Sequence, residues 1–497
     1  MDVAPPTSAA ESGSTTAREP QHPAASVGRQ RWSVGHGLRQ LAHLPHCGHR
    51  PILADLRFLR DSLAFARDVH ARCGPVSHGV LFARAQVLLM SAEANEAVLA
   101  DREGAYCARG GWEPLLGRLF PGGLIMRDGD DHRRHRRWML PALRREALAR
   151  HIARMVPAIE AAADRWAAGP HLDVHAAIRE LTLGIALETF LGVAPGSSAR
   201  AIGADYEALV DASAAVLRLP LPGTRHARGR AARGRLEHFL HRLATERVRA
   251  PGQDLFSQLC VAAAQGGDAP TRAELVDHMV FLLMAAHDTT TSALVTTVAS
   301  LAVEPQWQDR LADEIAQVAA TASAASGDGE VAEVLRLDRL ERCGWALREA
   351  LRLYPPIPTL ARSAAREVTL HGHRIPAGAP VTLFPLLVQR DPRWWTDPDR
   401  FDPLRFSPER AEHRRHPGIW TPFGGGAHMC LGMNFAELQS RAVLRALLRR
   451  VRWSCGPHDR YDHAFAPIGH PRGPFTLRLR AAHVPGADGE AGHAAPR

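Results

Sequence analysis

The feature that most constrains this chain is a glycine-rich segment that leads into a cysteine, Phe423-Gly-Gly-Gly-Ala-His-Met-Cys430-Leu-Gly432. Three consecutive glycines permit positive φ values and let the backbone approach a flat ligand closely. Apolar residues at helical spacing follow over positions 433–450, so Cys430 is expected just before a helix N-terminus. There the helix dipole lowers the pKa of a thiol and favours the thiolate, the form that binds metals. An incidental buried cysteine is a weak alternative, since the six fixed positions match by chance on the order of once in a hundred million windows.

Composition argues against several classes of protein. The 497 residues carry a net charge of +9, and all 61 basic residues are arginine. Because 52 acidic residues are interspersed among them and no base-reading motif occurs, no nucleic acid partner is expected. The seven cysteines show no paired spacing, which argues against a disulfide framework and favours a cytoplasmic location. No signal-peptide pattern is present, and the longest clearly apolar run, 279–286, is too short for a transmembrane segment.

The sequence predicts one large domain at positions 31–484 between two disordered tails. Residues 1–30 and 485–497 are rich in small and polar residues with little apolar periodicity. Helical spacing of apolar residues dominates the domain, and strand-like segments are few, the clearest being a hairpin at 368–375. The predicted helical stretches are 51–73, 144–168, 227–250, 272–302 and 306–320.

With its cysteine loop placed before a helix, the chain resembles the cytochrome P450 superfamily, loosely nearer the sterol- and retinoid-type branches. The resemblance implies a mainly α fold with a smaller β lobe, in a single large domain. It also implies one haem b (iron protoporphyrin IX) whose iron is bound by the thiolate of Cys430, which is the metal ligand. In the same loop, Phe423 would shield the sulfur, Gly424 would let the backbone approach the haem, and His428 would donate to a haem propionate.

A second motif of the resembling family is the Glu-x-x-Arg pair in Leu347-Arg-Glu349-Ala-Leu-Arg352-Leu-Tyr-Pro-Pro356. Residues three apart share a helix face and can form an ion pair. The Glu-x-x-Arg pair alone is weak evidence for the family, since about three matches are expected by chance in such a chain. The Tyr-Pro-Pro that follows the pair strengthens the assignment. The resemblance adds Arg405 as the third partner and gives the trio a structural role around the cysteine loop.

A run of threonines interrupts the apolar helical stretch 272–302, in Met284-Ala-Ala-His-Asp288-Thr289-Thr290-Thr291. Three threonines beside an acid are poor helix material, because their side chains compete for backbone hydrogen bonds. This local conflict indicates a functional site, although a helix N-cap or an ordinary polar patch is the alternative. In the resembling family, small residues leave room for dioxygen, while Asp288 and Thr289 organise the water that delivers protons to it and are the catalytic residues.

The resemblance also assigns residues that anchor the haem propionates. His132 and Arg136 lie one helical turn apart in Gly129-Asp-Asp-His132-Arg-Arg-His135-Arg136-Arg137-Trp138, and Arg362 matches a further propionate ligand. The forked donors of arginine suit a carboxylate. A solvated basic face, or a docking surface for an acidic electron donor, is the alternative for the other arginines of this stretch.

The implied activity is that of a haem-thiolate monooxygenase that inserts one atom of dioxygen into an apolar small molecule, by hydroxylation or epoxidation. Electrons are expected from a separate ferredoxin and ferredoxin reductase-type donor. A terpenoid, steroid or lipid-like substrate is favoured because the candidate pocket segments are largely apolar. Those segments are 110–125, 217–222, 285–290, 357–360 and 466–473. Three alternatives stay open: a peroxide-driven haem peroxygenase, a haem-binding sensor or carrier without turnover, and a redox-neutral rearrangement or dehydration.

Overall fold

The structure of the chain is a computed structural model that describes residues 32–48, 51–213, 221–325, 329–456 and 461–482. The tails predicted at 1–30 and 485–497 lie outside the described residues, and so do positions 217–220 of one predicted pocket segment. Among the described helices, none combines the length and the apolar character needed to cross a bilayer.

Helices make up most of the described chain. Their order is α1 (Val34–Gln40), α2 (Pro51–Arg60), α3 (Ser62–Cys73), α4 (Ala92–Ala100), α5 (Ala108–Leu116), α6 (Gly129–Met139), α7 (Arg145–Ala167), α8 (Val174–Leu191), α9 (Ser197–Ser213), α10 (Arg225–Arg249), α11 (Leu255–Gln265), α12 (Arg272–Val303), α13 (Gln306–Ala325), α14 (Glu330–Asp338), α15 (Glu341–Leu353), α16 (Pro385–Val388) and α17 (Met433–Leu448).

Helix boundaries follow local capping chemistry. The central helix α12 begins at a capping box, in which the side chains of Thr271 and Glu274 each accept from the backbone N–H of the other residue. The stretch predicted as one helix over 51–73 is two helices, because the side chain of Asp61 accepts from the N–H of Ala64 and starts α3. The other predicted helical stretches agree with the structure to within a few residues.

The strands form small sheets. They are β1 (Val76–Leu81), β2 (Arg84–Leu89), β3 (Tyr106–Cys107), β4 (His171–Asp173), β5 (Leu360–Ala364), β6 (Val368–Leu370), β7 (His373–Ile375), β8 (Pro380–Leu383), β9 (Val451–Ser454), β10 (His463–Ala464), β11 (His470–Pro471) and β12 (Thr476–Ala481). The largest sheet has the order β1-β2-β8-β5-β3, a second has the order β4-β12-β9, and β6–β7 and β10–β11 are two-stranded hairpins. The mainly α fold with a smaller β lobe is therefore confirmed.

The hairpin of β1 and β2 is a part of the fold that the sequence analysis missed. Its turn residues Phe82 and Ala83 have φ values of +53° and +56°. Such left-handed turns normally carry Asn or Gly, which are the usual sequence indication of a tight hairpin. Here the favourable burial of the strands outweighs the strain in the turn, since every residue of β1 is buried.

The main hydrophobic core lies around α12. It joins apolar side chains of α7, α8, α9, α10 and α11 on one side with those of α15 and α17 on the other. From Thr290 to Ala302 every residue of α12 is buried, including the polar ones. Buried hydroxyls are tolerated there because Thr291, Thr296 and Thr297 each donate to the carbonyl one turn back. The helix α12 is thus held in place along most of its length, and the segments that pack against it are positioned by it.

Candidate active site

The loop before α17 holds Cys430 by backbone hydrogen bonds. The N–H of Cys430 donates to the carbonyl of Phe423 at 2.9 Å, and the N–H of Met429 donates to that of Gly426 at 3.1 Å. Gly424 and Gly426 have φ values of +69° and +59°, which favour glycine. A Cβ on Gly426 would also collide with the carbonyl oxygen of Leu99. The glycine run is therefore needed for the shape of the loop and for its close approach to α4.

The surroundings of the Cys430 thiol determine its pKa. The side chain of Cys430 is accessible, yet burial by surrounding protein atoms raises the pKa of the thiol. The N–H of Gly432 and the guanidinium of Arg136 act in the opposite direction but do not outweigh the burial. The helix N-terminus therefore lowers this pKa as expected, but the net shift among the protein groups is upward because burial is the larger effect. A directly bound cation would stabilise the thiolate, which fits the role of a metal ligand.

Basic side chains gather beside this loop. Arg136 of α6 donates through Nη1 to the carbonyl oxygen of Met429 at 2.9 Å. One turn earlier on α6, the ring of His132 stacks on that of His428 with centroids 4.0 Å apart. Burial, with the nearby charges of His428 and Arg136, lowers the pKa of His132 to about 3. The contacts bring residues far apart in sequence to one side of the cysteine loop.

Asp128 is a member of this cluster that the sequence analysis missed. One carboxylate oxygen lies 3.5 Å from Nε2 of His428, and the other accepts from Sγ of Cys107 at 2.8 Å. Burial alone would raise the pKa of Asp128, but the donors that surround it lower it to about 2. Its position just before Gly129, at the start of α6, was the available sequence indication, since Asp is common at helix N-termini.

Arg362 of β5 approaches the same cluster from the sheet. Its side chain is buried, its Nη1 donates to the carbonyl oxygen of Ala361 at 2.8 Å, and it interacts electrostatically with Asp128. A buried arginine without a full set of acceptors is suited to an anionic ligand. The guanidiniums of Arg136 and Arg362 and the rings of His132 and His428 thus gather on one side of Cys430, which would fit the propionates of a haem bound at that cysteine.

One face of α12 is partly accessible. Although the helix runs through the core, a stripe of its side chains stays partly accessible: Phe281, Leu282, Ala285, Ala286, Asp288 and Thr289. Residues three and four apart share a helix face, so this stripe borders a space. Phe423 of the cysteine loop packs against the cluster that contains Ala293, one turn beyond Thr289. The cysteine loop therefore lies next to the part of α12 that follows the stripe.

The acid and the hydroxyl predicted to be catalytic point to different partners. Oγ1 of Thr289 donates to the carbonyl oxygen of Ala285 at 2.6 Å. Asp288 has a side chain that is 14% accessible, and burial raises its pKa to about 6. It faces the fully buried hydroxyl of Tyr206 and the charge of Arg179. The sequence analysis missed Tyr206, which lies on α9 and has no local motif.

His287, the neighbour of Asp288, is held inside the core. Its Nδ1 lies 3.0 Å from Oγ1 of Thr182, which in turn lies 2.6 Å from Oγ1 of Thr291. Burial lowers the pKa of His287 to about 3, so the ring is neutral. The hydrogen bonds between α8 and α12 give this histidine a structural role.

The Glu349 network lies behind the cysteine loop. Glu349 accepts from Arg352 at 2.7 and 2.8 Å and from Arg405 at 3.1 Å, and all three side chains are almost inaccessible. Arg405 also contacts Glu412 at 3.2 Å, a fourth member that the sequence analysis missed. Gln389 ties this region to the loop, since its amide donates to the carbonyl of Arg352 and its Oε1 accepts from the N–H of Thr421.

A cleft lies between the largest sheet and α5. It is bordered mostly by apolar side chains, including Phe58, Phe82 and Trp112, together with the polar groups of Arg84 and Arg362. Cys430 and α12 do not line it. It shares Arg362 with the basic cluster.

Comparisons with known proteins agree with this arrangement. The family model described as Cytochrome P450 matches residues 49–477. A protein of Mycobacterium tuberculosis named putative cytochrome P450 136 is 34% identical over 457 residues, 90% of each chain. Putative cytochrome P450 139 of Mycobacterium bovis is 30% identical over 388 residues, 76% of this chain and 88% of the relative. Among solved structures, retinoic acid-bound cyanobacterial CYP120A1 matches with a TM-score of 0.79 at 23% identity, over 88% of this chain and 99% of the other.

Proposed function

The chain belongs to the cytochrome P450 family of haem-thiolate monooxygenases, and we propose that it inserts one atom of dioxygen into an apolar small molecule by hydroxylation or epoxidation. The observation that carries the proposal is the accessible side chain of Cys430, in a loop that packs against α12 just beyond the partly accessible stripe that bears Asp288 and Thr289.

Haem, when bound, supplies the iron at which dioxygen is activated for insertion into a C–H or C=C bond. Cys430 is the proposed iron ligand, Phe423 shields its sulfur, and Gly424 gives the loop its close approach. His132, Arg136, Arg362 and His428 are the proposed partners of the propionates, because they are the basic side chains grouped beside the loop.

Asp288 and Thr289 are proposed to handle the protons. A carboxyl group with a pKa of about 6 exchanges protons readily near neutral pH, which is the property needed in a relay. Asp288 takes up a proton on the side of Tyr206 and Arg179, and Thr289 presents its hydroxyl on the accessible side of α12 after it leaves the carbonyl of Ala285. The chain then contributes a proton path from the helix bundle to the accessible face of α12.

An apolar substrate is favoured by the side chains on the accessible face of α12 and in the cleft beside α5. Phe281, Leu282, Ala285 and Ala286 on α12 and Trp112 in that cleft offer apolar contact, and ligand sites bind mainly through buried apolar surface. Within this class a terpenoid, steroid or lipid-like molecule is our proposal.

A separate ferredoxin-type protein is the proposed electron donor. The exposed arginines of α6 lie on the same helix as His132 and Arg136, close to the proposed haem. Arg133 and Arg137 are each paired with an exposed aspartate, while Arg134 lies over the ring of Trp138. Such a surface favours an acidic partner, since opposite charges steer association.

The test is the absorption spectrum of the reduced protein with carbon monoxide. The expected result is the strongly red-shifted Soret band of a ferrous carbonyl opposite a thiolate, present in the wild type and in Cys455→Ala, and lost in Cys430→Ala. A histidine-like carbonyl band would favour the sensor or carrier alternative. Absence of haem from well-folded protein would contradict the proposal. Turnover with peroxide but not with a reductase system would favour the peroxygenase.

A further inference from the structure

Two buried polar atoms outside the proposed relay point to one spot beside α12. Ser292 of α12 is 2% accessible and His463 of β10 is 8% accessible. Oγ of Ser292 and Nε2 of His463 have no hydrogen-bond partner among the described residues. Unlike Thr289 and Thr296, Ser292 does not donate to a carbonyl of its own helix. Buried polar atoms are rarely left unsatisfied, so this pair calls for a ligand.

The position of Gly469 gives the distance between these atoms. A Cβ built on Gly469 would lie 2.8 Å from Oγ of Ser292 and 2.8 Å from Nε2 of His463. The two atoms are therefore separated by no more than two hydrogen-bond lengths, yet no direct hydrogen bond joins them. This range includes the separations that one water molecule bridges.

The turn that carries Gly469 is fixed in place. Its N–H donates to the carbonyl oxygen of Pro356 at 2.9 Å, so the β10–β11 hairpin is attached to the segment after α15. A Cβ at position 469 would come closer to both Ser292 and His463 than ordinary contact allows, so glycine lets the turn approach this pair.

The hydrogen-bond chain continues outward from His463. Its Nδ1 lies 2.8 Å from the hydroxyl of Tyr461, a half-buried residue. Burial lowers the pKa of His463 to about 3, so the ring is neutral and each nitrogen has one role. With the Tyr461 hydroxyl donating to Nδ1, Nε2 carries its hydrogen towards Ser292. Inward, Ser292 lies three and four residues after Thr289 and Asp288, on the same face of α12.

We propose that Ser292 and His463 hold a buried water, and that Tyr461, His463, this water and Ser292 form a second proton-uptake branch that joins the Asp288–Thr289 relay. The role of the protons in catalysis rests on the proposed function, whereas the water site does not depend on it. A proton enters at the Tyr461 hydroxyl as one leaves Nε2 of His463 for the water, so no oxidant or reductant is consumed.

The water site is tested by crystallography of the haem-loaded protein, at a resolution that shows other buried waters. The expected result is a water within hydrogen-bond distance of both Ser292 and His463 in the wild type, absent from Gly469→Ala, whose added methyl would crowd both polar atoms. Wild-type density without this water would overturn the inference, whether or not the carbon monoxide spectrum supports the proposed function.

The proton branch is tested by the solvent deuterium isotope effect on turnover and by the peroxide released per NADH consumed, using variants that keep the thiolate-type carbon monoxide spectrum. Ser292→Ala, Tyr461→Phe and Gly469→Ala should each raise peroxide release roughly twofold, as expected when one of two parallel routes is lost. They should also raise the isotope effect. Ser300→Ala, which removes a hydroxyl two turns further along α12, should change neither. Loss of the water with unchanged isotope effect and coupling would overturn the proton branch.

Discussion

Replacing Asp288 with Asn should stabilise the folded protein above pH 6. Burial raises the pKa of this carboxyl from an ordinary 3.8 to about 6, a difference of about two units. One unit corresponds to roughly 1.4 kcal/mol, so the ionised side chain destabilises the native state by about 3 kcal/mol at high pH. With 14% of the side chain accessible, solvent screens little of this. Asn keeps the size and the polar contacts of Asp288 but carries no charge.

The direction in which stability changes with pH follows from the upward shift of the Asp288 pKa. Because the pKa is higher in the folded state, the folded protein binds more protons than the unfolded chain between about pH 4 and pH 6. The wild type therefore loses stability as the pH rises through this window, and the Asn variant does not. The advantage of the variant should be small at pH 4, reach about half of its full value at pH 5, and be constant above pH 7.

The assay is urea denaturation of haem-loaded wild type and Asp288→Asn at pH 5 and pH 8, followed by the Soret band and by circular dichroism. Asp313→Asn, which changes an exposed carboxylate of α13, is the control and should leave the midpoint unchanged. An equal midpoint difference at both pH values would show that Asp288 does not titrate in this window. A variant less stable than the wild type at pH 8 would show that the charge of Arg179 outweighs burial.

Three further changes have defined outcomes. Thr289→Ala should divert electrons to hydrogen peroxide while haem stays bound, measured as peroxide per NADH; unchanged coupling with a true substrate would remove Thr289 from the relay. Glu349→Gln should lower the free energy of unfolding by roughly 3–5 kcal/mol, because two buried guanidiniums lose their counter-charge. Glu367→Gln, in an exposed pair, should lower it by under about 1 kcal/mol. Equal urea midpoints for the two variants would contradict this. Arg136→Ala should speed haem transfer to apomyoglobin about tenfold or more, as expected for a lost charge-assisted hydrogen bond, and the exposed Arg137→Ala should not; equal rates would exclude Arg136 as an anchor.

The parts of the fold that could be predicted from sequence are those whose structure is determined by residues close together in the chain. The helix over 272–302 is α12, because its capping box and its apolar run are both local. The cysteine loop before α17 is equally local, since its glycines and the helix that follows define its shape. The break at Asp61 was also readable, because Asp is a common N-cap.

The rest depends on contacts between distant segments. Tyr206 faces Asp288 from another helix, Asp128 meets His428 across the chain, and Glu412 completes a network whose other acid is Glu349. No spacing rule links such residues. The net upward shift of the Cys430 pKa could not be predicted for the same reason, because burial by distant atoms outweighs the local helix terminus.

The buried network of Glu349, Arg352, Arg405 and Glu412 also constrains how this sequence can change over evolutionary time. Each acid and each guanidinium has its counter-charge inside the protein. The loss of any one of them leaves another buried charge unpaired, with no water to take the place of the missing partner. A neutral replacement would have to alter several positions together, and single substitutions arrive one at a time. The exposed pair of Glu367 and Arg374 is under no such restriction and is free to drift. Lineages that share this fold would then preserve the four charges long after the residues that contact substrate have diverged.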